Sequence, residues 1–425
     1  QRIGSLFINP GGPGGSAIDF LPSVVSGASA LATRFDIVAF DPRGVGQSTP
    51  LNCHSTLQTL IATDPSPDSD AEWSALEQAS KTFADECAQN SAAILPYLGT
   101  PNVARDMDRV RESLGEDKLY YLGFSYGTEI GAWYAELFAD RVGALVLDGA
   151  VDLKLSSLEL SLAQGQGFEL ALSDYFAWCS ATPSRCSWAQ NKVPADEFTR
   201  LTMSIDAKPL PAPRSDRPAG PGEFAIAVIA PLYAGEDGWV ELSSALAAAE
   251  SGSGDQIISI ADNYLERATD GSYGNITEAY DAVTCLDNAD PSVDVVRGQA
   301  DHFAMLAPNF GVTSLTGLFV CSDWSVQGKD LPPPKGVGAA PIVVIGTTDD
   351  PATPYSWAQA LSQELDSAVL LTAEGEGHTA YLRGNSCIDD AVNAYFLSGK
   401  VPADGTRCSA AGMSTPSMLR LSATR

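Results

Sequence analysis

The stretch 118–127 constrains the fold of this chain more than any other. A β-prone run, 118–122, leads into the sequence Gly-Phe-Ser-Tyr-Gly, and a helix-prone segment with one apolar face follows at 128–138. A serine inside G-x-S-x-G, between a strand and a helix, is typical of a nucleophile elbow, whose tight turn presents the hydroxyl at the end of the strand. Because the bare pattern arises easily by chance, its strand–helix context carries the prediction that Ser125 is a nucleophile.

Further strands and helices alternate on both sides of this elbow. Apolar, β-prone runs predict strands at 3–8, 35–40, 144–147, 341–345 and 368–372, the last of these ending the sheet. Helical periodicity predicts helices at 71–91, 101–115 and 354–364. Repeated alternation of this kind predicts an α/β fold, with a mostly parallel, twisted sheet and helices on both faces.

The segment 153–332 differs in character from the rest of the chain. It has mostly helical patterns, at 155–180, 223–232, 237–250, 255–268, 276–285 and 293–306, and no convincing parallel strand. A proline-rich linker, 331–335, precedes the return to the sheet. We therefore interpret the chain as an α/β core in two parts, 1–152 and 333–425, with a large helical cap, 153–332, inserted over the strand ends.

A glycine-rich loop, 9–16, directly follows the first predicted strand. Four glycines and two prolines give this loop few side chains and many free backbone N–H groups. Such donors can stabilise the oxyanion of a tetrahedral intermediate, together with the amide that follows the nucleophile. We predict that Gly12, with Gly11 as the near alternative, and Tyr126 form an oxyanion hole. The acid and the arginine of the turn after the second strand, Asp41 and Arg43, are expected to have structural roles.

An acid and a histidine follow the two strands after the helical segment. Of the three histidines in the chain, His54 and His302 follow no sheet strand, whereas His378 lies just after the strand 368–372. His378 is therefore the predicted general base, and Asp350 is predicted to hold its tautomer. Asp349 is the rival, and Asp148, at the end of the fourth strand, could also serve. The chain order is then Ser, Asp, His.

The eight cysteines form an even set without metal-ligand spacing. Pairing of neighbours along the chain predicts four disulfides, Cys53–Cys87, Cys179–Cys186, Cys285–Cys321 and Cys387–Cys408. Disulfides together with a low lysine content favour a secreted, extracellular or cell-wall-associated protein. No metal site and no cofactor are predicted.

The formal net charge of −28 argues against nucleic acid and anionic membrane surfaces as partners. No apolar run approaches the 18 or more residues that a membrane span needs. The acidity is compatible with cationic substrates, such as peptides with a free amino terminus.

Five motifs together resemble the tripeptidyl aminopeptidase branch of the prolyl aminopeptidase-like α/β-hydrolases. They are Asn-Pro-Gly-Gly-Pro-Gly-Gly-Ser at 9–16, Asp-Pro-Arg-Gly-Val-Gly-Gln-Ser at 41–48, the elbow at 123–127, Asp-Pro-Ala-Thr-Pro at 350–354, and Gly-His at 377–378. The resemblance spans nearly the whole chain. It implies the α/β-hydrolase fold and a secreted serine exopeptidase that releases short peptides, such as tripeptides, or single residues, such as proline, from a free N-terminus.

An exopeptidase of this kind needs an acidic anchor for the substrate ammonium, and the resemblance implies that the anchor comes from cap acids. Asp287 and Glu223 are the preferred candidates, ahead of Glu236 and Glu278. The alternative function is a carboxylic-ester hydrolase, since both reactions use the same triad and oxyanion hole. A catalytically inactive binding protein is a third hypothesis.

Relatives normally have a stretch with the first strands before the glycine loop, and this sequence starts close to that loop. We therefore expect an N-terminal part that was cleaved during maturation or remains bound as a separate fragment.

Overall fold

The computed structural model describes residues 1–409, except for the side chain of His54. Seven parallel strands form one sheet in the order β2-β1-β3-β4-β5-β6-β7. The strands are β1 (Gly4–Asn9), β2 (Phe35–Ala39), β3 (Leu119–Phe124), β4 (Val142–Asp148), β5 (Ile342–Asp349), β6 (Ala368–Glu376) and β7 (Thr406–Cys408). The six predicted strands are present, and the fold is the α/β-hydrolase fold.

The α-helices are α1 (Ala17–Gly27), α2 (Ser29–Ala32), α3 (His54–Ala62), α4 (Asp70–Ser91), α5 (Thr100–Ser113), α6 (Gly127–Leu137), α7 (Ser157–Ala181), α8 (Pro194–Ala207), α9 (Pro221–Leu232), α10 (Glu236–Glu250), α11 (Asp255–Tyr264), α12 (Ile276–Asp287), α13 (Val293–Gly298), α14 (Ala300–Leu306), α15 (Gly311–Thr316), α16 (Phe319–Ser322), α17 (Tyr355–Glu364) and α18 (Ser386–Ser398). Two short 3-10 helices, Leu95–Tyr97 and Ala139–Arg141, precede α5 and β4.

Apolar residues alternate between the two faces of the sheet, as the two-residue period of a strand requires. Leu6 and Ile8 of β1 pack with helices α1, α2 and α18 on one face, whereas Phe7 packs with α5 and α6 on the other. All three are at most 2% exposed. The strands are thus held between two apolar layers, and their carboxyl ends share one edge.

The helices between β4 and β5 pack in two groups. Helices α7–α11 share an apolar core of their own, with Tyr175, Trp188 and Trp239 among its members. In contrast, α12 and α16 contribute Val283 and Val320 to the core on the sheet. The predicted cap segment, 153–332, is therefore not packed as one layer, because its second half is joined to the helices beside the sheet.

Some predicted elements differ from the structure. The strand 368–372 is not the last of the sheet, because β7 pairs with β6 and is tied to α18 by Cys387–Cys408. The helix predicted at 255–268 ends at Tyr264, and the one predicted at 293–306 is divided into α13 and α14. The helices without a counterpart in the prediction are α1, α2, α3, α8, α15, α16 and α18. The end of the predicted third segment, 410–425, lies outside the described residues.

No helix in the described part of the chain has the length and apolar character needed to cross a bilayer.

Candidate active site

Ser125 lies in the sharp turn between β3 and α6. Its φ of +55° is in the left-handed region, which non-glycine residues rarely adopt and which is typical of a strained nucleophile elbow. The turn is held by hydrogen bonds from Ser125 N to the Asp148 carbonyl (2.8 Å) and from Thr128 Oγ1 to the Ser125 carbonyl (2.6 Å). The backbone strain is therefore maintained by β4 and α6, and the predicted elbow is present.

Asp350 is a buried carboxylate at the end of β5 that contacts His378. Both of its oxygens lie 2.9 Å from His378 Nδ1. Thr353 donates from its backbone N and from Oγ1, at 2.9 and 3.0 Å, and the amides of Ala352 and Thr379 donate at 2.9 and 3.2 Å. This set of donors fixes the carboxylate against the imidazole, so that Nδ1 carries the proton and Nε2 is the basic atom.

Two neighbouring acids, Asp349 and Asp148, bind groups other than His378. Asp349 accepts a hydrogen bond from Thr348 Oγ1 (3.2 Å) and makes none with His378. Asp148, which is fully buried, accepts from the amides of Ala380 and Tyr381 at 3.1 and 2.8 Å. Burial raises the pKa of Asp148 to about 6, although these two amides act in the opposite direction. The geometry therefore selects Asp350 over Asp349 as the partner of the histidine and gives Asp148 the role of holding the histidine loop.

His378 is brought to the elbow by the loop that follows β6. A Cβ added at Gly149 would lie 3.1 Å from His378 Cε1, and Gly149 follows Asp148, the residue that binds the Ser125 amide. His378 Nε2 is buried and has no hydrogen-bond partner among the described residues. The bond from Ser125 Oγ to this nitrogen is therefore not formed in this structure, and such bonds are often long without substrate.

The glycine loop lies directly against the elbow. A Cβ on Gly11 would lie 2.5 Å from the Phe124 carbonyl and 2.8 Å from Ser125 Cβ, so only glycine permits this approach. The Gly11 amide is already bound to Asn9 Oδ1 at 2.9 Å. In contrast, the described hydrogen bonds include none donated by the amides of Gly12 and Tyr126. These two N–H groups are therefore the donors available for an oxyanion, which favours Gly12 over Gly11.

The turn 41–48 is hydrogen-bonded to the end of the glycine loop and to the start of α1. Buried Asp41 accepts hydrogen bonds from Ser16 Oγ (2.8 Å) and from the Ile18 amide (3.2 Å) at the start of α1. Arg43 binds both oxygens of Asp106 at 2.6 Å. Both contacts are structural, as the sequence predicted.

Asp287, one of the two predicted anchors, lies close to the elbow. The amide of Thr100 donates to one of its oxygens at 2.8 Å and the Thr100 hydroxyl donates to the other. The same hydroxyl is hydrogen-bonded to the phenol of Tyr126, the residue after the proposed nucleophile. Burial raises the pKa of Asp287 to about 7, against the two hydrogen bonds from Thr100.

Sequence reasoning missed a second acid at this position, Glu129. It lies in the first turn of α6, the helix that follows the elbow. Burial, reinforced by the charge of Asp287, raises the pKa of Glu129 well above its usual range. Among the described side chains, no cation offsets either acid. Its position in the first turn of the helix after the elbow is the sequence signal that could have identified Glu129.

The other predicted acids already have partners or lie buried. Glu223 is 1% exposed, forms an ion pair with Arg217 at 3.2 Å and accepts from the Gly220 amide. Glu236 pairs with Arg185 and accepts from the Trp178 indole at 3.0 Å. Glu278 is completely buried. The ion pair with Arg217 neutralises Glu223, so the prediction of Glu223 as an ammonium anchor does not agree with its surroundings.

The four predicted disulfides are present in the structure. They are Cys53–Cys87, Cys179–Cys186, Cys285–Cys321 and Cys387–Cys408. The third joins α12 to α16, two residues before Asp287, and therefore braces the segment that carries this acid. Asp290 lies near this disulfide, but the oxidised cysteines are not thiolate ligands for a metal.

The chain is similar to several known hydrolases. A family model described as "TAP-like protein" matches residues 307–408. The chain is 36% identical to serine protease Hip1 of Mycobacterium tuberculosis in an alignment that covers 96% of this chain and 81% of the relative. It is 38% identical to carboxylesterase B of the same species (96% and 80%) and 32% identical to tripeptidyl aminopeptidase of Streptomyces lividans (96% and 77%).

Similar solved structures include a proline iminopeptidase from Mycobacterium smegmatis, with a TM-score of 0.38 and 15% identity over 92% of this chain and 88% of the other. Because this similarity is low, the family is assigned from the sequence relatives, and the fold is assigned from the strand topology.

Proposed function

The chain belongs to the TAP-like family of α/β-hydrolases and is a serine hydrolase, and we propose that it is an exopeptidase that removes short peptides from a free N-terminus. Tripeptides are the expected product, with single residues such as proline as the other possibility. The observation that carries the proposal is the position of two acids without a cationic partner, Asp287 and Glu129, beside the elbow at Ser125.

The proposed reaction uses Ser125, His378 and Asp350. Nε2 of His378 takes the proton from Ser125 Oγ as this oxygen attacks the carbonyl carbon and later delivers it to the leaving amine. Asp350 stabilises the imidazolium that forms in between. The amides of Gly12 and Tyr126 stabilise the oxyanion. Water then hydrolyses the acyl-enzyme by the same steps.

The ammonium group of the substrate would bind between Asp287 and Glu129. Two partly buried carboxylates that repel each other hold protons tightly, and a bound cation removes this repulsion. A peptide with an acetylated N-terminus has no charge to offer, so the pair selects for a free amine. Because Glu223 is neutralised by Arg217, we propose Asp287 with Glu129 in its place.

We further propose that the protein acts outside the cell. Four disulfides support this location, because thiols in the cytosol are kept reduced. Detection of the oxidised protein in the culture medium or cell wall of its source would test it. The predicted N-terminal fragment stays a prediction.

The decisive experiment compares aminoacyl, dipeptidyl and tripeptidyl amides of one fluorophore, each with a free and an acetylated N-terminus. The wild type and Ser125→Ala are assayed in parallel. We expect turnover that needs the free amine, is highest for the tripeptide and is lost with the serine. Equal turnover of free and acetylated amides would refute the exopeptidase.

An esterase is the second candidate, and the 38% identity to a protein named carboxylesterase B favours it. A p-nitrophenyl ester of an acyl group without an amine tests this alternative. Turnover of the ester without turnover of any amide would establish the esterase, with the same triad.

A further inference from the structure

Three tyrosines from separate helices converge beside the proposed triad. Tyr233 follows α9, Tyr264 ends α11, and Tyr280 lies in α12. The Tyr233 carbonyl accepts a hydrogen bond from the His378 amide at 2.8 Å, and its ring stands edge-on to the imidazole with centroids 5.5 Å apart. The Tyr264 ring lies 6.2 Å from that of Tyr233. One end of this group, which we call the tyrosine wall, therefore contacts the general base.

The other end of the tyrosine wall lies at the glycine loop. A Cβ added at Gly14 would lie 3.2 Å from the amide nitrogen of Tyr280, and closer still to the Ile276 carbonyl. Helix α12 is thus packed against the loop that carries Gly12. The wall therefore lies between His378, which the ring of Tyr233 contacts, and the glycine loop, which the backbone of α12 contacts at Tyr280.

The outer two rings are accessible. Tyr264 and Tyr280 are 36% and 41% exposed. Burial of their surroundings is nevertheless the largest cause that raises the pKa of both phenols. Rings that are exposed in part are open to a ligand.

The inner ring is held rigidly. Phe168 packs on Tyr233 with centroids 5.2 Å apart, and Phe310 packs on Phe168 at 5.9 Å. An aromatic surface fixed in this way loses little freedom when a flat group stacks on it. Aromatic pairs prefer edge-to-face or offset geometry, and they contribute beyond their buried area.

We propose that the tyrosine wall is the binding site for the side chain of the substrate residue whose carbonyl is attacked, and that it selects an aromatic side chain. This inference rests on the proposed hydrolysis at Ser125 but not on the identity of the leaving group. An acidic side chain would be disfavoured, because moving its charge from water onto an aromatic surface is costly.

The test uses two substrate series with phenylalanine, leucine, alanine or glutamate at this position. One series is peptide amides with a free N-terminus, and the other is p-nitrophenyl esters. For the wild type, kcat/KM is expected to be highest for phenylalanine and lowest for glutamate. The ester series does not need peptidase activity. If the esters show the preference for phenylalanine and no amide is turned over, the proposed exopeptidase activity is wrong, but the proposed role of the tyrosine wall still holds.

Variants assign the preference to the tyrosines. Tyr280→Leu should lower the ratio of kcat/KM for phenylalanine over alanine by about 3- to 10-fold, as expected for loss of one aromatic pair. Tyr280→Phe, which keeps the ring, should retain the ratio. Tyr97→Leu, at a tyrosine that is 56% exposed and outside the wall, is the matched control.

Tyr264→Leu repeats the test should Tyr280→Leu fail to fold. An unchanged ratio in the leucine variant that folds, or a wild type that shows no preference for phenylalanine over alanine, would overturn the proposal.

Discussion

Two acids of the proposed site, Asp350 and Asp287, differ in how their charge is satisfied. Asp350 accepts four hydrogen bonds from three neighbouring residues and contacts His378 with both oxygens. Asp287 has only the two donors of Thr100 and faces a second acid, Glu129. The first acid lies on the core loops, and the second lies on α12.

The difference indicates which part of the site is complete and which part awaits a ligand. The carboxylate of Asp350 is fixed before any substrate arrives, as a catalytic orienting group must be. The pair of Asp287 and Glu129 is unfavourable until a cation enters, because two carboxylates in a poorly solvated site cannot both ionise easily. In the proposed function, the core loops thus supply the chemistry, and α6 and α12 supply recognition.

The largest expected effect concerns Asp350, the acid whose carboxylate is fixed by hydrogen bonds. Asp350→Asn keeps the shape of the side chain but favours the wrong tautomer of His378, so kcat should fall about 10⁴-fold. Asp349→Asn, the matched control one residue earlier, should retain activity within a few fold. Steady-state kinetics on the best amide measure both. A greater loss in the Asp349 variant would reverse the assignment.

The second expected effect concerns the contact between glycine loop and elbow. Gly11→Ala places a methyl group against the Phe124 carbonyl and Ser125 Cβ, so the loop must shift and misplace the Gly12 amide. Loss of one oxyanion donor corresponds to about 10²-fold in kcat. Gly338→Ala, at a glycine whose Cβ would meet no atom within 4 Å, is the control for general effects of glycine replacement. If kcat were unchanged in Gly11→Ala, the glycine loop would have no role in the mechanism.

The third prediction tests the unsatisfied acid through pH. Asp287 must be ionised to bind an ammonium, and its pKa is raised to about 7. The ratio of kcat/KM between wild type and Asp287→Asn, on free-amine substrates, should therefore rise roughly 10-fold from about pH 6 to about pH 8. It should fall again as the substrate amine loses its proton. Titration of His378 cancels in this ratio, and a ratio independent of pH would contradict the anchor.

The same carboxyl group gives a prediction for stability. Its pKa is higher in the folded protein than in the unfolded chain, so the folded state binds the proton more tightly and loses stability as the pH rises from about 4 to about 7. Asp287→Asn removes this loss. Its melting temperature relative to wild type should therefore increase with pH across that range, by a few degrees. A constant difference would show that the group is not perturbed.

The smallest expected effect concerns the disulfide Cys285–Cys321, which joins α12 to α16. Replacing Cys285 and Cys321 by serine removes a link across 36 residues and should cost about 2 to 4 kcal/mol of stability. Because Asp287 lies two residues beyond this link, KM for free-amine substrates should rise more than kcat falls. Removal of Cys387–Cys408, at the sheet edge, should lower the melting temperature without raising KM.

The elbow, the glycine loop and the order of acid and histidine were predicted from the sequence because each depends on local backbone requirements. A serine with positive φ needs small neighbours at 123 and 127, and a loop that touches the elbow needs glycine at 11. The central strands β1, β3, β4 and β5 could be predicted because they are buried on both faces for most of their length and are therefore mostly apolar. β7, with three residues, is too short for such a pattern and forms because β6 and a disulfide hold it.

The choice among acids was decided only by the tertiary structure. With 53 acidic residues in the chain, nothing in the sequence distinguishes Glu223, which has Arg217 as a neighbour, from Asp287, which has Glu129. Asp349 and Asp350 are adjacent, and the turn after β5 determines which of them meets His378. The electrostatic surroundings of an acid depend on neighbours that are distant in the chain. The sequence by itself therefore identifies the groups that are proposed to react. Only the packing of α12 on the core identifies the groups that are proposed to bind the substrate.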